Sequence, residues 1–314
     1  MSTIEITGLH RSYGSTTALE DVDLVIDEGT ICGLLGRNGA GKTTLMSLIA
    51  GQERPSSGSV RVFGADPVDN AATLARTSFI RDDQRYPDGF SLRHVLAVAP
   101  SFHRRWSAPL ARSLADAFGI PEKTQIKKMS RGQKSAIAIT IGLASRSELT
   151  VFDEPYLGLD ATARQVFYDR LIADYSEHPR TIVVSTHLID EMEPLLERVV
   201  VLDHGRVRLD TDVDEARASA YSVAGTTAAV DGFTLGRRVL SSHGIGGLKT
   251  VTLDGRVDAG VRAEAAKAGV ELSRVSLQQV VAALGADGAP ASASPPSERG
   301  ESDSLSTPTS GARS

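Results

Sequence analysis

Eight consecutive residues, Gly36-Arg37-Asn38-Gly39-Ala40-Gly41-Lys42-Thr43, set the frame for everything else in this chain. They fit the pattern G-x-x-x-x-G-K-[ST], a loop whose backbone amides cradle phosphate. The apolar run Ile31-Cys32-Gly33-Leu34-Leu35 before it reads as a buried strand, and Thr44 to Ala50 after it as a helix that Gly51 ends. Strand, glycine-rich loop and helix are the context the motif needs. Loop amides and the helix N-terminus then converge on an anion. Lys42 is placed to reach the β- and γ-phosphates of a nucleotide, and the Thr43 hydroxyl to hold Mg²⁺. Gly36, Asn38, Gly39, Ala40, Gly41 and Thr44 complete the candidate cradle.

The chain has 314 residues, enough for one large domain and a smaller one. Its hydrophobic fraction of 41% and charged fraction of 23% fit a soluble globular protein. A net charge of −5 argues against a molecule built to coat nucleic acid. The single cysteine, Cys32, leaves no intramolecular disulfide and no cysteine-based zinc site, as expected in the cytosol. The sequence offers neither a signal peptide nor a run of about 18 apolar residues, so any membrane must be crossed by another chain.

Alternation predicts strands around Ile4 and Ile6 and from Val22 to Ile26, with further strands at Gly58–Phe63, Thr77–Ile80, Leu149–Phe152 and Thr181–Ser185. Val199–Leu202 and Arg206–Leu209 flank the hairpin signal Asp203-His204-Gly205. Residues 91–143 carry a helical pattern broken at Pro100, Pro109 and Gly119-Ile120-Pro121, and 160–175 a second. This order predicts an α/β core with an inserted helical lobe. Beyond residue 212 the texture changes. Residues 213–284 are expected to form a small α+β domain, with strands at Val239-Leu240, Thr250–Leu253 and Val270–Arg274. A capping box, Ser276-Leu277-Gln278-Gln279, opens its last helix. Residues 285–314, rich in Ser, Pro, Gly and Ala, are expected to be a disordered tail.

Three further segments carry chemistry. Leu149-Thr150-Val151-Phe152-Asp153-Glu154 is an apolar strand ending in two carboxylates. In nucleotide hydrolases such a strand-end Asp helps to hold Mg²⁺, and the adjacent Glu is suited to polarise a water. Lys128-Met129-Ser130-Arg131-Gly132-Gln133-Lys134 places a capping Ser before a helix whose free amides form a second anion site, with Lys127 adding charge. Ser185-Thr186-His187 closes an apolar strand.

Together these segments resemble the ATP-binding-cassette (ABC) ATPases. The signature Leu-Ser-Gly-Gly-Gln is matched at Ser130, Gly132 and Gln133, with Met129 and Arg131 as departures. Asp153-Glu154-Pro155-Tyr156-Leu157-Gly158-Leu159-Asp160 resembles the stretch from the Mg²⁺-binding Asp to the D-loop, Tyr156 and Leu157 standing where Thr and Ser are usual. The resemblance covers residues 3 to about 210. It implies a P-loop NTPase cassette with a RecA-like α/β core, an antiparallel β subdomain and a helical subdomain (about 91–143), followed here by the small C-terminal α+β domain. It implies Glu154 as general base, His187 as γ-phosphate contact, Tyr13 as the aromatic that stacks on adenine, and Asp160 as the D-loop carboxylate. Thr43 and Asp153 become metal ligands, with ATP and Mg²⁺ as the bound pair. The family normally has a Gln beyond the strand at 77–80. Counting back from Phe90-Ser91-Leu92 puts Asp82 there, a hard oxygen ligand for Mg²⁺, with Gln84 next in line.

The resemblance also implies partners. Each ATP is sandwiched between two cassettes, so a second ABC subunit is expected, as a homodimer or a heterodimer with a related chain. A transmembrane permease subunit on a separate chain is expected to dock on the helical lobe, placing this chain on the inner face of the cell membrane. Phe90, Phe102, His103, Arg105 and Trp106 either line that groove or fill the lobe's core. The small domain after the cassette points to the subunits of ABC-2-type exporters. The competing expectation is a soluble cassette ATPase not tied to transport. No nucleic acid is expected as a partner.

Overall fold

The computed structural model describes residues 1–81 and 83–286. Asp82 and residues 287–314 of the expected tail lie outside the described residues; Gly285 and Ala286, expected in that tail, instead belong to the last helix.

Two long strands, β1 (Ser2–Tyr13) and β2 (Thr16–Asp27), pair antiparallel. They run well past the few alternating residues that announce them because register shifts keep Leu9 and Leu19 facing inward. β3 (Ile31–Leu35) is buried at every residue and feeds the phosphate loop, from which α1 (Lys42–Ile49) departs. β4 (Ser57–Val62) joins β1, giving a three-stranded sheet of order β2-β1-β4. After α2 (Ala71–Leu74) and β5 (Thr77–Arg81) comes the helical lobe: α3 (Leu92–Val98), α4 (Ala108–Ala117) and α5 (Arg131–Ser145). Pro109 does not interrupt this lobe. It sits in the first turn of α4 behind the Ser107 cap, where a missing N–H costs nothing.

The chain then alternates: β6 (Leu149–Asp153), α6 (Ala161–Glu177), β7 (Thr181–Ser185), α7 (Ile189–Met192), β8 (Arg198–Asp203) and β9 (Arg206–Asp212). These complete a six-stranded sheet of order β5-β6-β7-β3-β8-β9, parallel except for the β8–β9 hairpin. Its central strands are buried on both faces, as a parallel sheet covered on both sides requires. Ile31, Leu35, Phe152 and Val184 face one core, with α5, α6 and the helical lobe. Cys32, Leu34, Val151 and Val183 face another, with α1 and the three-stranded sheet. Burial raises the Cys32 thiol pKa to about 12, which leaves it a small inert hydrophobe.

The remaining elements are α8 (Val213–Ala218), β10 (Ala220–Thr226), α9 (Thr227–Thr234), β11 (Val239–Ile245), β12 (Leu248–Asp254), α10 (Ala259–Ala268), β13 (Glu271–Arg274) and α11 (Leu277–Ala286). The strands form an antiparallel sheet of order β11-β12-β10-β13. A β-α-β-β-α-β run with that order is the ferredoxin-like arrangement. Tyr221, Val223, Val251 and Leu253 pack with Val230 and Phe233 of α9 and Ala265 of α10. Ser276 caps α11 reciprocally with Gln279, as the capping box predicts. Two helices tie this unit to the rest: Val213 and Ala216 of α8, and Leu277 and Val281 of α11, are buried in the larger of the two cores described above.

Candidate functional site

The strand ends converge on one edge of the six-stranded sheet. The phosphate loop is fixed there by backbone contacts that exclude any side chain. A Cβ at Gly36 would stand 2.2 Å from the Leu202 carbonyl oxygen, and one at Gly41 would stand 2.7 Å from that of Ala18. Both glycines have positive φ, 140° and 105°. The Gly205 amide, in the β8–β9 turn, donates to the Ala40 carbonyl at 3.1 Å, which pins the loop from the side. Asn38 and Gly39 lie exposed at the loop tip, and Thr44 is half-buried in the first turn of α1.

Lys42 is buried, and its Nζ folds back onto the loop, donating to the carbonyls of Gly36 at 2.8 Å and Arg37 at 3.2 Å. Burial lowers its pKa, while the charges of Glu154 and Asp153 pull it back up. The ammonium is thus held at the centre of the glycine-rich loop with two carboxylates nearby.

Those carboxylates come from the end of β6. Asp153 pairs across the sheet with Ser185 at the end of β7. Its two oxygens have separate partners. Oδ2 accepts from the Thr43 hydroxyl at 2.8 Å and Oδ1 from the Ser185 hydroxyl at 2.8 Å. The Ser185 oxygen in turn accepts the Glu154 amide N–H at 2.9 Å. Glu154 has φ of 48°, a left-handed conformation unusual for a residue with a Cβ, and such strain gathers at functional sites. Its Oε2 lies 2.5 Å from His187 Nδ1. Thr43, Asp153, Ser185, Glu154 and His187 therefore form one continuous chain of hydrogen bonds. Four of them are predicted site residues; Ser185 was expected only as part of the histidine segment.

Tyr156 accounts for one departure from the family pattern. Its side chain is buried, its hydroxyl donates to the Ser185 carbonyl at 3.3 Å, and its ring stands 5.9 Å from that of His187. Burial and the Glu154 charge push its pKa well up, so the phenol stays neutral and serves as a prop behind the histidine.

The second predicted group lies at the start of α5. Ser130 caps this helix: its hydroxyl accepts from the Gln133 amide at 3.2 Å, and its own amide donates to the Gln133 side chain at 3.1 Å. Gly132 touches the segment leading away from Glu154, where a Cβ would meet the Gly158 carbonyl oxygen at 2.5 Å. The Ser135 hydroxyl donates to the Leu157 carbonyl at 2.6 Å. Residues 154–158 are thereby bolted to the signature helix. Asp160 is engaged as the cap of α6, accepting from the Ala163 amide at 2.8 Å.

Tyr13, at the end of β1, is 43% exposed. The Arg11 guanidinium lies over its ring at 4.4 Å, and its hydroxyl donates to Glu53. One contact has no signal in the motifs. Gly285, near the end of α11, lies against Arg37 of the phosphate loop, where a Cβ would come within 3.2 Å of the arginine Cδ.

Similarity to known proteins follows the same lines. The family described as ABC transporter matches residues 19–157. An aliphatic sulfonates import ATP-binding protein, SsuB 1 of Nocardia farcinica, is 33% identical over 68% of this chain and 83% of its own length. The daunorubicin/doxorubicin resistance ATP-binding protein DrrA of Streptomyces peucetius is 29% identical over 70% of this chain and 68% of its own. A solved structure of an ATP-binding subunit of an ABC transporter superposes with a TM-score of 0.62 at 26% identity, covering 68% of this chain and 92% of that one. Among the described residues no helix is long and apolar enough to cross a membrane. The chain belongs to the ABC transporter ATP-binding family, whose members hydrolyse ATP to drive transport.

Proposed function

We propose that this chain binds ATP with Mg²⁺ between two cassettes and hydrolyses it on the inner face of the membrane to drive an ABC-2-type exporter. The hydrogen-bond chain from Thr43 through Asp153, Ser185 and Glu154 to His187 carries the reading. The loop amides and Lys42 bind the phosphates, and Tyr13 stacks on adenine. Glu154 takes the proton of the attacking water, and His187, already bonded to Glu154, orients it and faces the γ-phosphate. The hydroxyl of Thr43 and the carboxylate of Asp153 are hard oxygen donors brought together at one point, a set that fits Mg²⁺, with Asp82 or Gln84 as a further ligand. The ion supplies charge neutralisation on the phosphates when bound. Ser130, Gly132, Gln133 and Asp160 serve the ATP held by the opposite cassette. Residues 1–212 act as the ATPase unit and 213–284 as an accessory unit.

Because Gly132 packs on the Gly158 carbonyl, Gly132→Ala forces backbone apart. Overpacking of this kind costs about 1–3 kcal/mol. We expect ATP turnover to fall about tenfold with the fold intact, checked by steady-state hydrolysis beside circular dichroism. Tyr13→Ala should raise KM for ATP about tenfold and leave kcat nearly unchanged, since base stacking is worth about 1–3 kcal/mol.

The exposed Phe102, beside the stacked His103–Trp106 pair at 6.1 Å, is an apolar point of the helical lobe offered to the permease. Purifying the chain from solubilised membranes tests the assignment. A co-purifying protein with several membrane spans supports it, and recovery from the soluble fraction alone, with neighbouring gene products co-expressed, refutes it. The sulfonate-import relatives favour import as a second reading. Stimulation of the reconstituted ATPase by an external solute-binding protein would select import.

A further inference from the structure

A cavity of about 800 Å³ lies between α8 and the open edge of the C-terminal sheet, at β13. Four arginines line it, Arg217, Arg256, Arg262 and Arg274, against one carboxylate, Asp214. Two of the four are committed. Arg217 pairs with Glu193 and lies 3.5 Å from Asp214, and Arg256 pairs with Glu215. Arg262 and Arg274 have no ion pair or side-chain hydrogen bond among the described residues. Two arginines without a carboxylate of their own thus line one cavity, an arrangement that an anion would satisfy.

Arg262 makes the case stronger. It stands one turn into α10, behind the Asp258 cap, at the positive end of the helix dipole. The dipole disfavours a cation there and favours an anion beside it. The walls between the arginines are apolar, from Val257, Leu272 and Val275. The volume falls within the roughly 300–1,000 Å³ range of small-molecule sites, which combine apolar walls with a few fixed polar groups. Planar guanidiniums pair with carboxylate or phosphate through two parallel hydrogen bonds.

We propose that this cavity binds an organic anion, a carboxylate or phosphate carried on an apolar body, through Arg262 and Arg274. The site is separate from the ATP site. Arg217 connects it by one ion pair to Glu193, in the turn that follows α7 and so a few residues beyond His187.

Anilinonaphthalene sulfonate, an anion on an aromatic body, is a direct probe. The full-length chain is first saturated with Mg-ADP to occupy the phosphate loop. Wild type should then show a saturable fluorescence increase that inorganic pyrophosphate reverses. Arg262→Ala with Arg274→Ala should weaken probe binding at least about tenfold, the loss of a charge-assisted pair. Basal ATPase should be unchanged, because neither residue touches the nucleotide machinery. Flotation with phosphatidylglycerol vesicles distinguishes sources. Flotation lost in the double variant assigns a lipid headgroup, and no flotation beside retained probe binding assigns a free small anion. Probe titration of the double variant like wild type, or no saturable binding by wild type, overturns the proposal. Either result leaves the ATPase reading untouched.

Discussion

Glu154→Gln is expected to bind ATP normally, accumulate as an ATP-bound dimer, and hydrolyse about 10²–10⁴-fold more slowly than wild type, the usual worth of a general base. The geometry makes this a clean substitution. The Glu154 amide is held by the Ser185 hydroxyl at 2.9 Å, so the left-handed backbone at φ 48° persists whatever the side chain. Gln has the same shape and keeps an oxygen for His187. What it loses is the capacity to accept a proton. In the proposed pair of cassettes, removal of the bridging γ-phosphate opens the pair, so a slow chemical step holds it closed. Size-exclusion chromatography with ATP, read beside single-turnover hydrolysis, checks both halves. Multiple turnover at the wild-type rate would remove Glu154 as the base.

The parts of this site that could be read from the sequence are those fixed by local rules. Gly36 to Thr43, Asp153-Glu154 and His187 each stand at the end of an apolar strand, where the chain leaves the sheet. A short window of sequence therefore states both the residue and its position. Ser130 and Gln133 are legible for the same reason, since a capping box spans four residues. What was not legible depends on neighbours distant in the chain. Ser185 is an ordinary strand-end serine until β6 and β7 pair and set it opposite Asp153. Gly132 is marked by the signature, but the reason it has to be glycine, the Gly158 carbonyl lying against it, exists only once α5 packs on the 154–158 segment. Tyr156 looks like a mere departure until its ring is found beside His187. The strand β10 gave no alternation strong enough to announce it. Its first four residues are buried in succession because it lies inside its sheet, between β12 and β13. The reach of α11 back to Arg37 follows from the docking of Leu277 and Val281 in the cassette's core, which a window around residue 280 does not contain.

Asp153 is where folding and chemistry share one side chain, and two substitutions separate them. The carboxylate is nearly buried and accepts from Thr43 on one oxygen and Ser185 on the other. Asp153→Ala removes both acceptors. Ser185 is wholly buried, so its hydroxyl loses a partner that water cannot replace. Leaving a buried donor unmet costs about 1–3 kcal/mol, and a urea midpoint lowered by that loss divided by an unchanged slope is the expected reading. On the proposed reading the same change removes an oxygen ligand of Mg²⁺, and Mg²⁺-dependent hydrolysis should fall to background. Asp153→Asn keeps one carbonyl acceptor for Ser185 and the shape of the side chain, but loses the negative charge that attracts a divalent ion. It should recover most of the stability and almost none of the hydrolysis at any Mg²⁺ concentration. Wild-type Mg²⁺ dependence in Asp153→Asn would show that the carboxylate is only a brace between β6, β7 and α1. Lost stability in both variants with hydrolysis lost only in Asp153→Ala would point the same way. The expected pattern, stability restored by Asn and activity not, assigns the charge of Asp153 to the metal and its shape to the hydrogen-bond chain that positions Glu154.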